Sequence, residues 1–313
     1  QRPQEDGNEL ILTPELAEAA ASQLAANKAA QNEDSDPNRE APPTGGDGST
    51  GAAGNVGGYN TFWIDNGESA IRIDGEFRTS ILTTPENGRR PEMTPEAKKR
   101  AAARRAFYRE NRGEAWWLDL DGPGPYDGPE SRTLSDRCLL GFGSTGGPPM
   151  LPTLYNNHKR IVQTPDHMMI LVEMVHDARV IRIDSEHAPS EVRRWLGDSI
   201  GWWEGDTLVV DTTNFTDRPA LSMATRDLHV VERFRYADDG TLIYSFMVED
   251  PNVWTEPWGG EYPWPATDDR VYEYACHEGN YAMEGILKGA RILEAERLAE
   301  EGESPGVGGG GGN

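Results

Sequence analysis

The sequence predicts a mainly β protein, an antiparallel meander forming a barrel or sandwich, a lipocalin-like barrel included. Three observations predict it. From Arg160 to Cys276 the chain reads RIVQT, HMMILVEMV, ARVIRID, DTLVVDTT, LHVVERFRY, TLIYSFMVED and RVYEYAC, short β-branched and aromatic runs joined by polar turns. No amphipathic helix of crossover length separates these runs, which argues against a parallel βαβ layout. Two tight-turn pairs, Asn66-Gly67 and Asp74-Gly75, separate the earlier pieces TFWID, AIRID and EFRTSIL, as in two-residue hairpins.

The elements follow in order. Leu10 to Ala30 reads as a helix: Thr13-Pro14 is a start signal, and Ala, Leu, Glu and Gln dominate after it. Its apolar stripe is mostly Ala, so it needs a partner surface to stay folded. Gln31 to Gly58 has the Asn, Asp, Pro, Gly and Ser composition of an extended tether. Residues 1–58 thus form a helix and tether, and 59–291 a single β-rich domain that includes a second helix near 94–110. That helix opens on Thr94-Pro95-Glu96 and has an Arg/Lys-rich body that reads as a solvated face or a docking face for an acidic partner. Residues 292–313 read as helical, then as a Gly-rich flexible tail.

Net charge is −23, from 53 acidic and 30 basic residues, which makes nucleic acid a poor partner. No apolar run is long enough for a membrane helix. The chain starts at Gln1 without a basic-then-apolar leader, as expected of a mature exported protein after signal-peptide removal. Cys138 and Cys276 lie in no zinc or redox spacing, and in an oxidising compartment they pair.

Several constellations could carry chemistry. Glu232 alternates with Val230, Phe234 and Tyr236 on one strand face, and a carboxylate among apolar side chains must be paired, hydrogen-bonded or in a cavity. His176 lies between Glu173 and Asp177 at a strand turn, where a carboxylate could orient it as a general base, or where the trio is a solvated hairpin tip. Trp202 and Trp203 precede Glu204 and Asp206, an arrangement that suits stacking on a sugar ring or plain core packing. Glu204 with Glu232 could form a glycosidase acid pair if their separation allowed it. His187 completes the candidates, and His277-Glu278 follow Cys276 directly. Asp119, Asp121 and Asp127 lack EF-hand spacing, the six histidines are scattered, and no phosphate-loop, dinucleotide, nucleophile-elbow or metalloprotease motif occurs. No cofactor or metal is expected.

The stretches GGYNTFWIDNG, DGPESRTLSDRC, YNNHKRIVQTPDHMMILVEMVHDARVIRID, WLGDSIGWWEGDTLVVDTTNF, LHVVERF, EDPNVWTEPW and YEYACHEGNY resemble a large family of secreted bacterial proteins of undefined function, common in acidobacterial and proteobacterial genomes. The resemblance covers about three quarters of the chain, from Tyr59 to Arg291. It implies export and paired cysteines and carries over no catalytic residues. Where many relatives read GRPH, this chain reads SEHAP around His187.

Three functions follow as expectations. The first is an exported, non-catalytic β domain serving as an accessory or scaffold subunit of an envelope-associated complex, with residues 1–58 contacting a protein partner. The second is a periplasmic hydrolase or lyase acting on a carbohydrate or small ester. The third is a lipocalin-like carrier of a small ligand. Periplasmic or extracellular location is common to all, with at most peripheral association with a membrane complex.

Overall fold

The computed structural model describes residues 1–2, 8–31, 67, 69–109 and 112–303. The tether, the TFWID piece and its Asn66 turn residue, and the Gly-rich end lie outside the described residues. A small sheet joins β1 (Ile11–Leu12), β3 (Glu76–Arg78) and β2 (Arg72–Ile73) in that spatial order. Asp74 and Gly75 close the β2–β3 hairpin with φ of +50° and +86°, the double positive φ that this turn demands. The predicted N-terminal helix is observed as α1 (Pro14–Gln31), begun after β1.

The second sheet has nine strands: β4 (Leu82–Thr84), β5 (Lys159–Gln163), β6 (His167–Val172), β7 (Ala178–Ile183), β8 (Asp198–Glu204), β9 (Thr207–Thr213), β10 (His229–Tyr236), β11 (Leu242–Glu249) and β12 (Trp258–Trp264). Its order is β4-β12-β11-β10-β9-β8-β7-β6-β5, so β5 to β12 form a meander in chain order. The sheet curls into half a barrel, leaving edges at β4 and β5. One pair departs from the antiparallel expectation: β7 and β8 run parallel. Residues 184–197 make the crossover without a helix, held down where Arg194 N donates to Asn214 O (3.0 Å) and Thr216 N to Arg194 O (3.1 Å).

Alternation along each strand separates two faces. The inner face aligns Leu208, Val210 and Thr212 with Phe234, Glu232 and Val230, and these with Tyr244, Phe246 and Val248. This face carries the main core. Among the described residues, the small sheet contributes no side chain to this core. Its cover includes the Gly/Pro-rich segment 141–152, whose Met150 is fully buried, together with Phe215, Leu221, Trp254 and Ala97 of the second helix. Tyr262 Oη donates to Met150 O (2.6 Å), and Met150 N donates to Tyr244 Oη (2.8 Å), so a loop rather than a strand fills the half-barrel.

β12 contains Gly259, Gly260 and Pro263, which hide its strand character in the sequence. A Cβ at Gly260 would collide with the Ile81 backbone, so only glycine lets β4 pair there. The predicted strand RVYEYAC does not form: residues 265–275 join no sheet, and Tyr272 N donates to the Glu173 side chain (3.1 Å).

The helix expected near 94–110 is α2 (Pro95–Phe107), capped by the Thr94 hydroxyl, which accepts from Ala97 N at 3.2 Å. The last helix, α3 (Tyr281–Glu303), runs through the expected boundary at residue 291. Its Ala290 and Leu293 pack on Trp116 and Trp117, and Arg297 pairs with Asp119, forming a second, smaller core. The Cys138–Cys276 disulfide ties the start of this unit to the loop entering the half-barrel. A bridge spanning 138 residues removes enough unfolded-state entropy to stabilise by about 2–5 kcal/mol. It fits an exported protein, and no described helix is long and apolar enough to cross a membrane.

Candidate functional site

At one end the inner face is not filled, leaving a cavity of about 230 Å³ between β5, β6 and the strands β8 to β11. Ile161, Met168, Ile170, Trp203, Leu208 and Phe234 form its walls, and Gln163, Asp206 and Tyr236 its polar rim. Trp203 is 45% exposed and Ile161 39%, large apolar side chains left open to solvent at a concave site.

The wall at β5 is also a sheet edge. Glu173 N donates to His158 O and Thr164 N to His167 O, both at sites in register with the β5–β6 ladder. Antiparallel ladders alternate, so Arg160 and Val162 spend their backbone groups on β6. The N–H and C=O groups of Lys159, Ile161 and Gln163 therefore point away from the sheet. The side chains of Ile161 and Gln163 line the cavity, so backbone groups without a strand partner among the described residues and open apolar surface share one edge.

Of the candidate residues, Asp206 reaches this cavity. Trp202 and Trp203 are consecutive in β8 and point to opposite faces: Trp203 enters the cavity, while Trp202 lies outside and donates to Glu204 at 3.1 Å. Glu204 is exposed and pairs with Arg233 at 2.7 Å, and this contact, followed by that from Trp202, lowers its carboxyl pKa.

Glu232 sits on the inner face, fully buried, in a bidentate pair with Arg179 of β7 (2.9 Å on one arm), and it accepts from Tyr244 Oη at 2.7 Å. The expectation that an inward carboxylate must be paired is met, and both members of the pair are buried. Glu204 and Glu232 therefore face opposite sides of the sheet and do not flank a common cleft.

His176 is exposed at the β6–β7 turn, in positive φ (+46°) beside Val175 (+58°). Glu173 ignores it and takes Asn156 (2.6 Å) and His158 (3.3 Å) instead. Asp177 turns under the 141–152 segment, where burial pushes its carboxyl up to about 6, against the opposing influence of His176 and the Gly141 amide. Its Oδ2 has no hydrogen-bond partner among the described residues.

His187, on the crossover, belongs to a chain of groups on the outer face that the sequence did not disclose. Its Nδ1 lies 3.1 Å from Asp198 Oδ2 and its Nε2 2.8 Å from Asp211 Oδ1. The other Asp211 oxygen is 2.8 Å from His229 Nε2, and Arg182 holds Asp198 bidentately at 2.8 and 3.1 Å. The Asp211 contact raises the His229 pKa more than burial lowers it. Burial alone would raise Asp211, but the two histidines reverse it. The Arg182 contact, ahead of the others, holds Asp198 far below the usual carboxylate range. Every ring nitrogen faces a carboxylate, so the chain clamps the crossover to the sheet and offers no open coordination position; among the described residues no group of three or more His, Cys, Asp and Glu side chains could hold a metal. The period-2 placement of Asp211 and His229 on outward positions was the available signal, but it required the strand register.

His277 and Glu278 are exposed beside the disulfide and point at none of these groups. The chain matches no family model, no curated protein and no solved structure.

Proposed function

We propose that this chain is an exported, non-catalytic β domain that binds a protein partner as an accessory or scaffold subunit of an envelope-associated complex. The observation that carries the reading is the β5 edge, with outward backbone groups at Lys159, Ile161 and Gln163 beside an open apolar cavity. An unpaired edge is a template for another strand, and native proteins usually blunt such edges. β5 is blunted only by its charged start, Lys159-Arg160, and exposes Ile161 and Val162.

The occupant that fits is an extended partner segment. Its backbone would extend the ladder, and alternate apolar side chains would enter the cavity at Ile161 and Trp203. Acidic residues near its end would meet exposed Arg160, in a chain whose net charge is −23. The N-terminal helix supports a partner as well: Ala17 is its one buried residue among those described, while Leu16 stays 55% exposed.

The test is native purification of the wild type and of Ile161→Pro, with a photo-crosslinking residue at Gln163. Loss of the partner in Ile161→Pro, with a Gln163 crosslink mapped to an extended segment of that partner, is the expected result. A crosslink to a second copy, or partner retention in Ile161→Pro, would overturn it.

A second reading draws on the cavity itself. Trp203 beside Asp206 and Gln163 suits one ring-sized ligand, as in a small-ligand carrier, and copurified ligand seen by mass spectrometry would favour it. The hydrolase or lyase reading lacks comparable support, because His187 and Glu204 on the outer face and Glu232 on the inner face are each committed to structural partners.

A further inference from the structure

A second and larger concavity lies away from the β5 edge. It occupies about 470 Å³ between α2, the turn 133–135 and the connection 217–224 that joins β9 to β10. Arg100 and Arg104 of α2 and Arg218 of the connection line it, with Ser135 and Ser222 among its hydroxyls. Leu140 and Leu221, both nearly fully buried, contribute an apolar floor.

Three arginines line this one groove in a chain of strongly acidic composition. Acidic residues outnumber basic ones by 53 to 30, and Arg132, Arg179, Arg182, Arg233, Arg235 and Arg297 each hold a carboxylate. Among the described residues no carboxylate lies within ion-pair distance of Arg104 or Arg218. The one acid lining the groove, Asp217, is turned to Arg226 at 3.5 Å. Arg100 spends one arm on Asn252 O at 2.9 Å. Cations in the last turn of a helix complement its dipole, which accounts for Arg104 and not for Arg218, delivered from a different segment. Beside Ser222, Met223 is held at φ of +73°, a left-handed conformation that a bulky side chain adopts only when its surroundings impose it.

We propose that this groove binds a small organic anion bearing a phosphate monoester or carboxylate group, gripped by Arg104 and Arg218 with its apolar body on Leu140 and Leu221. Guanidinium groups match both oxyanions with paired hydrogen bonds, and the volume suits a single small molecule. A polyanion is opposed by the net charge of the chain. The site is independent of the β5 edge.

Isothermal titration of the full-length, disulfide-bonded chain at low ionic strength tests it. The probes are inorganic phosphate, a sugar phosphate and citrate, each against chloride at matched ionic strength. A saturable heat is expected for the sugar phosphate or citrate, tighter than for inorganic phosphate, and which of the two binds identifies the oxyanion. Arg104→Gln and Arg218→Gln should each weaken it about tenfold, the loss expected for one charge-assisted contact, while Arg105→Gln leaves it unchanged. Because Arg104 and Arg218 are exposed, both variants should keep the wild-type urea midpoint. No saturable heat from any probe, or equal weakening by Arg105→Gln, would overturn the proposal.

Discussion

Replacing Glu232 by Gln should unfold much of the margin that keeps this protein native. Glu232 is fully buried and Arg179 is 3% exposed, so neither charge is shared with water. Gln keeps the size of the side chain and an acceptor for Tyr244, but it leaves the Arg179 guanidinium buried without a counter-charge. Removing one member of such a pair destabilises by about 3–5 kcal/mol. Against a typical total of about 5–15 kcal/mol, that is a large fraction. With a urea slope of about 3 kcal/mol per molar or more, since the slope rises with chain size, the midpoint should fall by about 1 M. The assay is urea unfolding at pH 7 under non-reducing conditions. The double variant Arg179→Met with Glu232→Leu should recover most of the loss, because the pair's net contribution over apolar isosteres is small. Glu204→Gln, at an exposed pair with Arg233, should cost less than about 1 kcal/mol. A Glu232→Gln loss as small as that of Glu204→Gln would refute the buried-pair account.

Other outcomes follow from the same geometry. Asp177 titrates at about 6 when folded against 3.8 as its ordinary value, so its contribution is present below pH 3.8 and lost as pH rises through about 6; Asp177→Asn should flatten that segment of the stability profile, which urea midpoints at a series of pH values would read. The folded pKa of His229 is raised above 6.5, so the crossover clamp is strongest below that pH and weakens as pH rises through the folded value; His229→Gln should remove this alkaline slope and leave the Asp177 segment in place. Gly146→Ala places a Cβ 2.5 Å from Asp177 Cβ, and the resulting shift of the 141–152 segment should destabilise by about 1–3 kcal/mol, measured by thermal unfolding.

The β class was legible because β-branched and aromatic alternation survives in β6, β7 and β9 to β11, and the inward position of Glu232 followed from counting by two along β10. Its partner was not legible: Arg179 lies 53 residues away on a strand separated from β10 by two others. β12 was hidden by Pro263 and by its two glycines, of which Gly260 admits β4. β8 was hidden because Asp198 and Gly201, which suit the crossover clamp and close strand packing, read as turn residues. The parallel β7–β8 pair could not be anticipated, since its crossover contains no helix and is pinned instead by Asp198, His187 and Asp211. The tract RVYEYAC has strand composition, yet its amide at Tyr272 serves a side chain and no neighbouring strand reaches it. The half-barrel's closure by a loop rested on Met150, a single methionine in glycine and proline text.

Hydrogen exchange at β5 tests the central claim most directly, by comparing the isolated chain with its native complex. In the isolated chain the Arg160 and Val162 amides should be protected and those of Lys159, Ile161 and Gln163 should exchange rapidly; in the complex all five should be protected. Rapid exchange at Lys159, Ile161 and Gln163 in the complex, or protection of those three in the isolated chain, would contradict a free edge that receives a partner strand.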